Sequence, residues 1–173
     1  MAEYFKIGKF LAAHGVKGEL LLQHQLGKKT SLKGLQTIFI EDRKNSFLPW
    51  FVESTRIKSN EAVFMKLEGI NTREAAINLA QKEAWVTEAD IKKFAAKSSP
   101  ISLLGYEIVT HQKILGNILE VIDQSHQLLC KIEIEKREVL IPLNEDTLKK
   151  IDHKNRQVVV NLPDGLLEIY LDP

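Results

Sequence analysis

Ile7-Gly8-Lys9-Phe10-Leu11-Ala12-Ala13-His14-Gly15-Val16-Lys17-Gly18-Glu19-Leu20-Leu21-Leu22 is the stretch that decides the fold. Two apolar, strand-like runs flank a short segment with glycines at 15 and 18. Glycine takes positive φ at no steric cost, so each can turn the chain sharply. The pattern predicts a β-hairpin whose tip carries His14 and Lys17, where side chains usually reach solvent. Gly-x-x-Gly is too sparse for a phosphate-binding loop, because the dinucleotide and P-loop patterns need more glycines and a helix after them.

Short strands continue after this hairpin. Gly27 to Gly34 is polar, bounded by glycines and holds three lysines, which predicts a loop. The loop is either solvated or a phosphate-facing edge. Thr37 to Ile40 is a β-rich run ended by the polar turn Glu41 to Ser46. Phe47 to Ile57 contains Pro49, which favours an edge or bulged strand. Trp50 and Phe51 then point to opposite faces, with Trp50 expected in the core. Ala62 to Leu67 alternates, with Val63, Met65 and Leu67 on one face. Asn71 with Glu74 has capping-box spacing and predicts a helix of about ten residues, with Ala75, Ala76 and Leu79 on its apolar side. Glu83 to Thr87 returns to strand character. Short strands at near-regular intervals with one small helix indicate a closed or nearly closed β-barrel; an α/β sheet would need a helix between most strands.

Small, polar and proline residues cluster around Lys92 to Pro100, which places a linker at 94–100 between domains 1–93 and 101–173. The second half is again β. Leu103 to Val109 leads into a turn at Thr110 to Lys113, and Gly116 to Ile122 is a second strand. Leu128, Cys130, Ile132 and Ile134 alternate with charged residues in the third. A turn near Lys136 and Arg137 returns into Glu138 to Ile141, and Pro142 is expected to stop the ladder. Glu145 to Asp152 reads as a helical turn and Gln157 to Leu162 as a last strand. Leu166 to Leu171 is a short helix or a packed tail.

Composition bounds the function. The chain has 173 residues, 44% hydrophobic and 27% charged, with a formal net charge of +1. A protein that coats nucleic acid is normally far more basic, so any RNA contact must be a local patch, be weak, or be shared with a protein partner. Cys130 is the only cysteine, which excludes an intramolecular disulfide and a cysteine-based zinc site and suits a reducing cytosol. No run is long enough to span a membrane and the N-terminus lacks the form of a signal peptide, so a soluble cytoplasmic protein is expected.

No catalytic constellation is visible. The five histidines, His14, His24, His111, His126 and His153, lack helical metal-ligand spacing. No carboxylate pair is marked as catalytic, no nucleophile elbow exists, and Cys130 inside a strand is a poor nucleophile. The sequence therefore favours a binding protein over an enzyme, with no cofactor and no metal. Candidate RNA-contacting residues are Lys9, His14 and Lys17 at the hairpin. Lys28 and Lys29 of the polar loop join them, with Arg56 and Lys58 expected near that loop. Each has a bland alternative, a tight barrel corner for the hairpin and ordinary solubilising charge for the others. Candidate protein-contacting residues are Ile101, Leu103 and Leu104 after the linker, which otherwise begin the next core. Pro163 and Leu166 near the C-terminus complete the set.

The opening stretch resembles the first motif of the ribosome maturation factor RimM family, through Ile7, Gly8, His14, Gly15, Gly18 and Glu19. Leu67 to Ala76 is similar to that family's acid-Gly-Ile stretch leading into Arg-Glu-x-Ala. Leu103-Leu104-Gly105, Gly116 to Val121, Val139 to Pro142 and Leu162 to Leu167 resemble successive motifs of its C-terminal PRC-barrel. The matches run in order over nearly the whole chain. The resemblance implies an all-β protein of two small β-barrels joined by a short linker, with one or two short helices. It further implies a ribosome assembly factor that binds the head of the immature small subunit. Its implied partners are small-subunit ribosomal protein nineteen and adjacent 16S rRNA, whose maturation and processing it promotes. Such a factor holds a conformation and breaks no bonds. A monomer with no membrane partner is expected.

One departure stands out. The family commonly carries paired aromatics and an acid at the linker, where this chain has Ser98, Ser99 and Ser102. The competing reading is a PRC-barrel adaptor that binds only protein, for which the hairpin lysines and salt have no effect. A β-barrel subunit of an RNA-modifying enzyme would need a cofactor pocket.

Overall fold

The Ile7–Leu22 stretch folds as a hairpin of β1 (Tyr4–His14) and β2 (Glu19–His24), with His14 opposite Glu19. The computed structural model describes residues 3–111 and 113–172. Two compact units result, residues 1–102 and 103–173.

In the first unit β3 (Thr37–Arg43), β4 (Ser46–Ser59), β5 (Ala62–Leu67) and β6 (Glu83–Thr87) complete a closed barrel in the order β1-β2-β5-β4-β3-β6. Closure requires β1 to pair on both edges, with β2 on one side and β6 on the other. Its pairing with β6 shifts register between Lys6 and Gly8, and its pairing with β2 shifts between Phe10 and Ala12. Such irregularities bend a strand and increase its twist. Gly8 sits at the bend, where a Cβ would lie 1.8 Å from the Gln23 carbonyl oxygen. Only glycine allows that approach of backbones.

Alternation fills the barrel. Phe5, Ile7, Phe10, Leu20, Leu22, Ile38, Val63, Met65 and Leu67 are all essentially inaccessible to solvent. Slipping β2 by one residue would turn Leu20 and Leu22 outward, at about 1.5–3 kcal/mol each. That penalty pins the register on which the outer face depends. His24 shares this interior at 2% exposure. Its Nδ1 accepts the Leu26 N–H at 3.3 Å, which leaves the ring proton on Nε2. Nε2 has no partner among the described residues. Burial holds the imidazole pKa below its usual value of 6.5, opposed only in part by the Glu61 charge.

Several expectations need correction. Pro49 does not mark an edge: β4 lies between β3 and β5, and Pro49 sits opposite Phe39. The strand is bulged, with register shifts at Val52/Ser54 and Ile57/Ser59. Trp50 is half-buried, not a core residue, because β4 carries apolar side chains on both faces while the barrel covers only one. The first helix, α1 (Arg73–Ile77), has five residues. Its cap is Thr72, whose hydroxyl accepts the Ala75 N–H at 3.1 Å, one residue later than the expected Asn71. A second helix, α2 (Glu88–Phe94), was not anticipated. Its signal is Thr87 with Asp90, where the Thr87 hydroxyl donates to the Asp90 carboxylate at 2.9 Å. The composition-based linker is partly ordered on this unit, since the Ala96 N–H donates to the Leu26 carbonyl at 2.8 Å.

The second unit contains β7 (Glu107–Thr110), β8 (Lys113–Asn117), β9 (Glu120–Gln124), β10 (Gln127–Ile134), β11 (Arg137–Leu143), β12 (Leu148–Asp152), β13 (Gln157–Val160) and α3 (Leu166–Leu171). They form a three-stranded sheet, β11-β10-β9, and a four-stranded sheet, β12-β13-β7-β8, in which β13 and β7 run parallel. Gly116 to Ile122 is therefore two strands. The break occurs where the Ile118 N–H donates to Tyr106 and the Leu119 N–H to Lys131. Gly116 lets β8 cross β10, since a Cβ there would lie 3.1 Å from the Glu133 carbonyl oxygen. Pro142 does not stop the ladder. It pairs with Leu129 within β11, an edge strand that tolerates the missing N–H. Residues 148–152 are a strand, not a helical turn. The turn expected at Thr110 to Lys113 includes Gln112, which lies outside the described residues. With Leu166–Leu171 helical, three short α-helices stand among the described residues. Cys130 is fully buried and its thiol is pushed up to about 12, so it stays protonated.

Two outcomes follow for stability. Gly18 has φ +88 and a Cβ there would lie 2.4 Å from the Ile70 carbonyl oxygen, whereas Gly15 has φ +67 and open space. Gly18→Ala is expected to cost about 2–4 kcal/mol, from left-handed strain plus overpacking. Gly15→Ala is expected to cost about 1–2 kcal/mol, from strain alone. Urea unfolding of the two variants checks the difference. For His24, the folded pKa lies below the unfolded one, so the unfolded chain takes up the proton first. Stability is thus lost as pH falls below about 6.5 and is unaffected above it. His24→Asn keeps an acceptor for Leu26; between pH 7.5 and 5.5 its urea midpoint should fall less than that of the native chain.

Candidate nucleic-acid interface

The hairpin turn is held by its neighbours. Gly18 lies against the backbone of Ile70, and the Arg73 guanidinium donates to the Gly15 carbonyl at 3.2 Å. Lys66 braces the other side, donating to the Ile70 carbonyl and, at 3.0 Å, to Asn71 Oδ1. The residues just before α1 thus set where the tip points. Exposed Val16 and Lys17 occupy that tip.

Beside the turn, Phe64 of β5 stands on the outer face, opposite Leu21 on one side and Arg56 on the other. The His14 ring packs on it with centroids 4.2 Å apart, and the Arg56 guanidinium lies over it at 4.1 Å. Lys58 Nζ is 6.0 Å from the same ring. Guanidinium and ammonium groups are attracted to the negative face of the ring, which explains how an outward phenylalanine ends up 9% exposed. Arg56 also forks onto Glu19, with Nε and Nη2 donating at 3.2 and 3.0 Å. That hydrogen bonding holds the Glu19 carboxyl below the usual carboxylate value, and the nearby charges of Arg56, His14 and Lys17 add to it. The same pairing raises the Arg56 pKa.

The structure therefore brings His14, Lys17, Arg56 and Lys58 to one side of the barrel around Phe64 and Glu19. Lys9 is exposed on β1, opposite Gln23 and Glu83. Lys28 and Lys29 are exposed in the loop beyond the far end of β2. Arg56 is not beside that loop, as expected, but beside Glu19 where β2 begins. Phe64 and Arg73 were missed. Phe64 left a signal as the one aromatic in a strand whose core face is Val63, Met65 and Leu67. Arg73 left none, because its contact spans 58 residues. Among the described residues no cluster of His, Cys, Asp or Glu could hold a metal ion.

Of the residues expected to face a protein partner, Ile101, Leu103 and Leu104 are 4%, 5% and 2% exposed and belong to the core. Pro163 is exposed and Leu166 half-buried. Ser99 stands close to Gly27, where a Cβ would lie 2.3 Å from the serine Cβ. Ser102 donates to the Ser99 carbonyl at 2.6 Å and to the Lys97 carbonyl at 3.0 Å. The serines in this segment thus make a local turn.

The family model for the RimM N-terminal domain matches residues 5–91, and that for the RimM PRC barrel domain matches residues 100–166. The chain belongs to the RimM family. Proteins named ribosome maturation factor RimM align over nearly its full length. The one from Parabacteroides distasonis is 32% identical over 171 residues, covering 96% of this chain and 97% of its own. One from Thermoanaerobacter is 30% identical over 168 residues, covering 96% and 100%. A RimM structure from Pseudomonas aeruginosa, titled as a 16S ribosomal RNA processing protein, is 16% identical with TM-score 0.42, covering 93% of this chain and 98% of its own. The RimM N-terminal domain from Thermus thermophilus is 21% identical with TM-score 0.40, covering 50% and 92%. Family membership rests on the sequence matches, which span both units. No helix among the described residues is long and apolar enough to cross a membrane.

Arg56→Ala is expected to raise the Glu19 pKa toward 4.5, by removing the largest cause of its depression. Carboxyl-carbon NMR titration of Glu19 in both proteins measures it.

Proposed function

We propose that this RimM-family chain is an assembly factor of the small ribosomal subunit. In this reading it binds the head of the immature particle through small-subunit ribosomal protein nineteen and adjacent 16S rRNA. It promotes maturation and rRNA processing by stabilising one conformation of that region, not by bond chemistry. The observation that carries the reading is the in-order match of both RimM domains across the chain. A net charge of +1 suits an RNA contact shared with a protein.

The hairpin side of the first barrel is the part of this surface best suited to RNA. Lys17 is exposed at the tip and Lys9 on the neighbouring strand, both free of carboxylate partners closer than 4 Å among the described residues. Lysines so placed supply phosphate contacts, whereas Arg56 is largely engaged by Glu19. Buried Cys130, with its thiol protonated, is unsuited to nucleophilic chemistry.

Co-sedimentation of the purified protein with immature and mature small subunits, at low and moderate salt, tests the reading. Binding is expected to the immature particle and to weaken with salt. Lys9→Glu combined with Lys17→Glu should weaken it by roughly tenfold or more. Absence of binding to either particle overturns the ribosomal reading. Binding that ignores salt and both lysines keeps the particle but moves the contact to protein.

A further inference from the structure

Residues 25–40 and 91–102 contain Lys28, Lys29, Lys33, Lys92, Lys93 and Lys97 and not one Asp or Glu. The chain as a whole balances 24 Lys and Arg against 23 Asp and Glu, so these two segments depart from its own pattern. Solubilising surface charge normally mixes the two signs.

The fold joins the two segments. The Ala96 N–H donates to the Leu26 carbonyl at 2.8 Å, and a Cβ on Gly27 would lie 2.3 Å from the Ser99 Cβ. At the other end of the loop, a Cβ on Gly34 would lie 2.9 Å from the Lys93 ammonium. Lys28 and Lys97 thus each follow a contact residue, and Lys93 reaches the residue after Lys33. Buried Leu26, Leu32 and Leu35 anchor the loop, so its exposed lysines are held in place.

The nearby acids are engaged or lie at the margin. Glu88 pairs with Lys92 at 3.6 Å, which takes that lysine out of the set, and the Asp90 carboxylate accepts the Thr87 hydroxyl. Glu53 and Glu68 line the cleft beyond Gly34, with Glu53 3.8 Å from the Lys66 ammonium. Glu61 is near the end of β2, its carbonyl accepting the His24 N–H at 2.8 Å. The other five lysines form no ion pair among the described residues. Interleaved with them are Thr30, Ser31, Ser98 and Ser99, whose hydroxyls suit phosphate oxygens. A site for an anionic membrane would interleave exposed apolar side chains instead.

We propose that the 27–34 loop and the 93–99 segment form a second phosphate-contacting patch for an RNA backbone, centred on Lys28, Lys29 and Lys97 and extended by Lys33 and Lys93. It rests on the RNA contact of the reading above and carries that contact to the end of β2 opposite the hairpin tip. The six residues of β2 span about 20 Å, more than two Debye lengths at physiological salt, so the two patches contribute separately.

The test is fluorescence anisotropy of a labelled single-stranded RNA of about twelve nucleotides with the full chain, between about 50 and 200 mM salt. Lys28→Gln, Lys29→Gln and Lys97→Gln combined should weaken binding by about tenfold and lower the slope of log affinity against log salt by about two. Lys44→Gln, Lys149→Gln and Lys154→Gln combined remove the same charge from exposed positions elsewhere and should change affinity by less than about twofold. On RNA addition, NMR amide shifts should map to residues 27–34 and 93–99, and should persist in the Lys9→Glu, Lys17→Glu variant. Amide positions away from the patch report that the variants fold. Equal losses in the two triple variants, no shifts in these segments, or no RNA binding by the native chain overturns the proposal. So does a polyglutamate peptide of similar length that titrates the same amides as tightly, which would make this a site for acidic protein. The probe is free RNA, so its failure leaves binding to small subunits through protein standing, and the two readings fall separately.

Discussion

The first barrel depends on β1 pairing along both of its edges. A strand can do this in a six-stranded closed sheet only if it bends, and β1 bends at Gly8, where the backbone of β2 comes too close for any side chain. Everything on the outer face is referenced to that closure. Once β1 is fixed against β2, the interior leucines fix the register; Leu21, Phe64 and Arg56 fall into one row across β2, β5 and β4, with Glu19 two residues along β2.

The hairpin tip is then positioned by residues far away in sequence. Gly18 rests on the Ile70 backbone, and Arg73 holds the Gly15 carbonyl. This ties the motif at the start of the chain to the Leu67–Ala76 segment. Both segments resemble RimM motifs, and in the fold they are one construction: a turn and its brace. His14 has a related part. Its ring helps to cover Phe64, so a residue read as a solvent-facing candidate is also packed against its strand neighbours.

Charge on this barrel is arranged by location more than by amount. Arg56 is neutralised by a fork to Glu19 while Lys17 is left open at the tip. Farther along β4, Glu53 faces the Lys66 ammonium at 3.8 Å beside an exposed Phe51. A chain with net charge +1 can in this way keep an exposed lysine at the hairpin tip of one small barrel.

Local chemistry was legible in the sequence. Alternation placed the strands, including the Cys130 strand, and the glycines at 15 and 18 placed the hairpin turn. The ordered motifs identified the family and its all-β class, because period-two patterning and turn residues act within a few positions of one another. The errors lie where burial overrides local preference. Trp50 is not in the core, α2 occupies a segment judged by composition, and Pro142 continues an edge strand. For the candidate site, the sequence named the cations but could not say which were paired. Arg56 with Glu19, His14 with Phe64, and the Arg73 brace are contacts across 37 or more residues. Barrel closure creates those contacts, and no pattern within a single strand encodes which strands become neighbours.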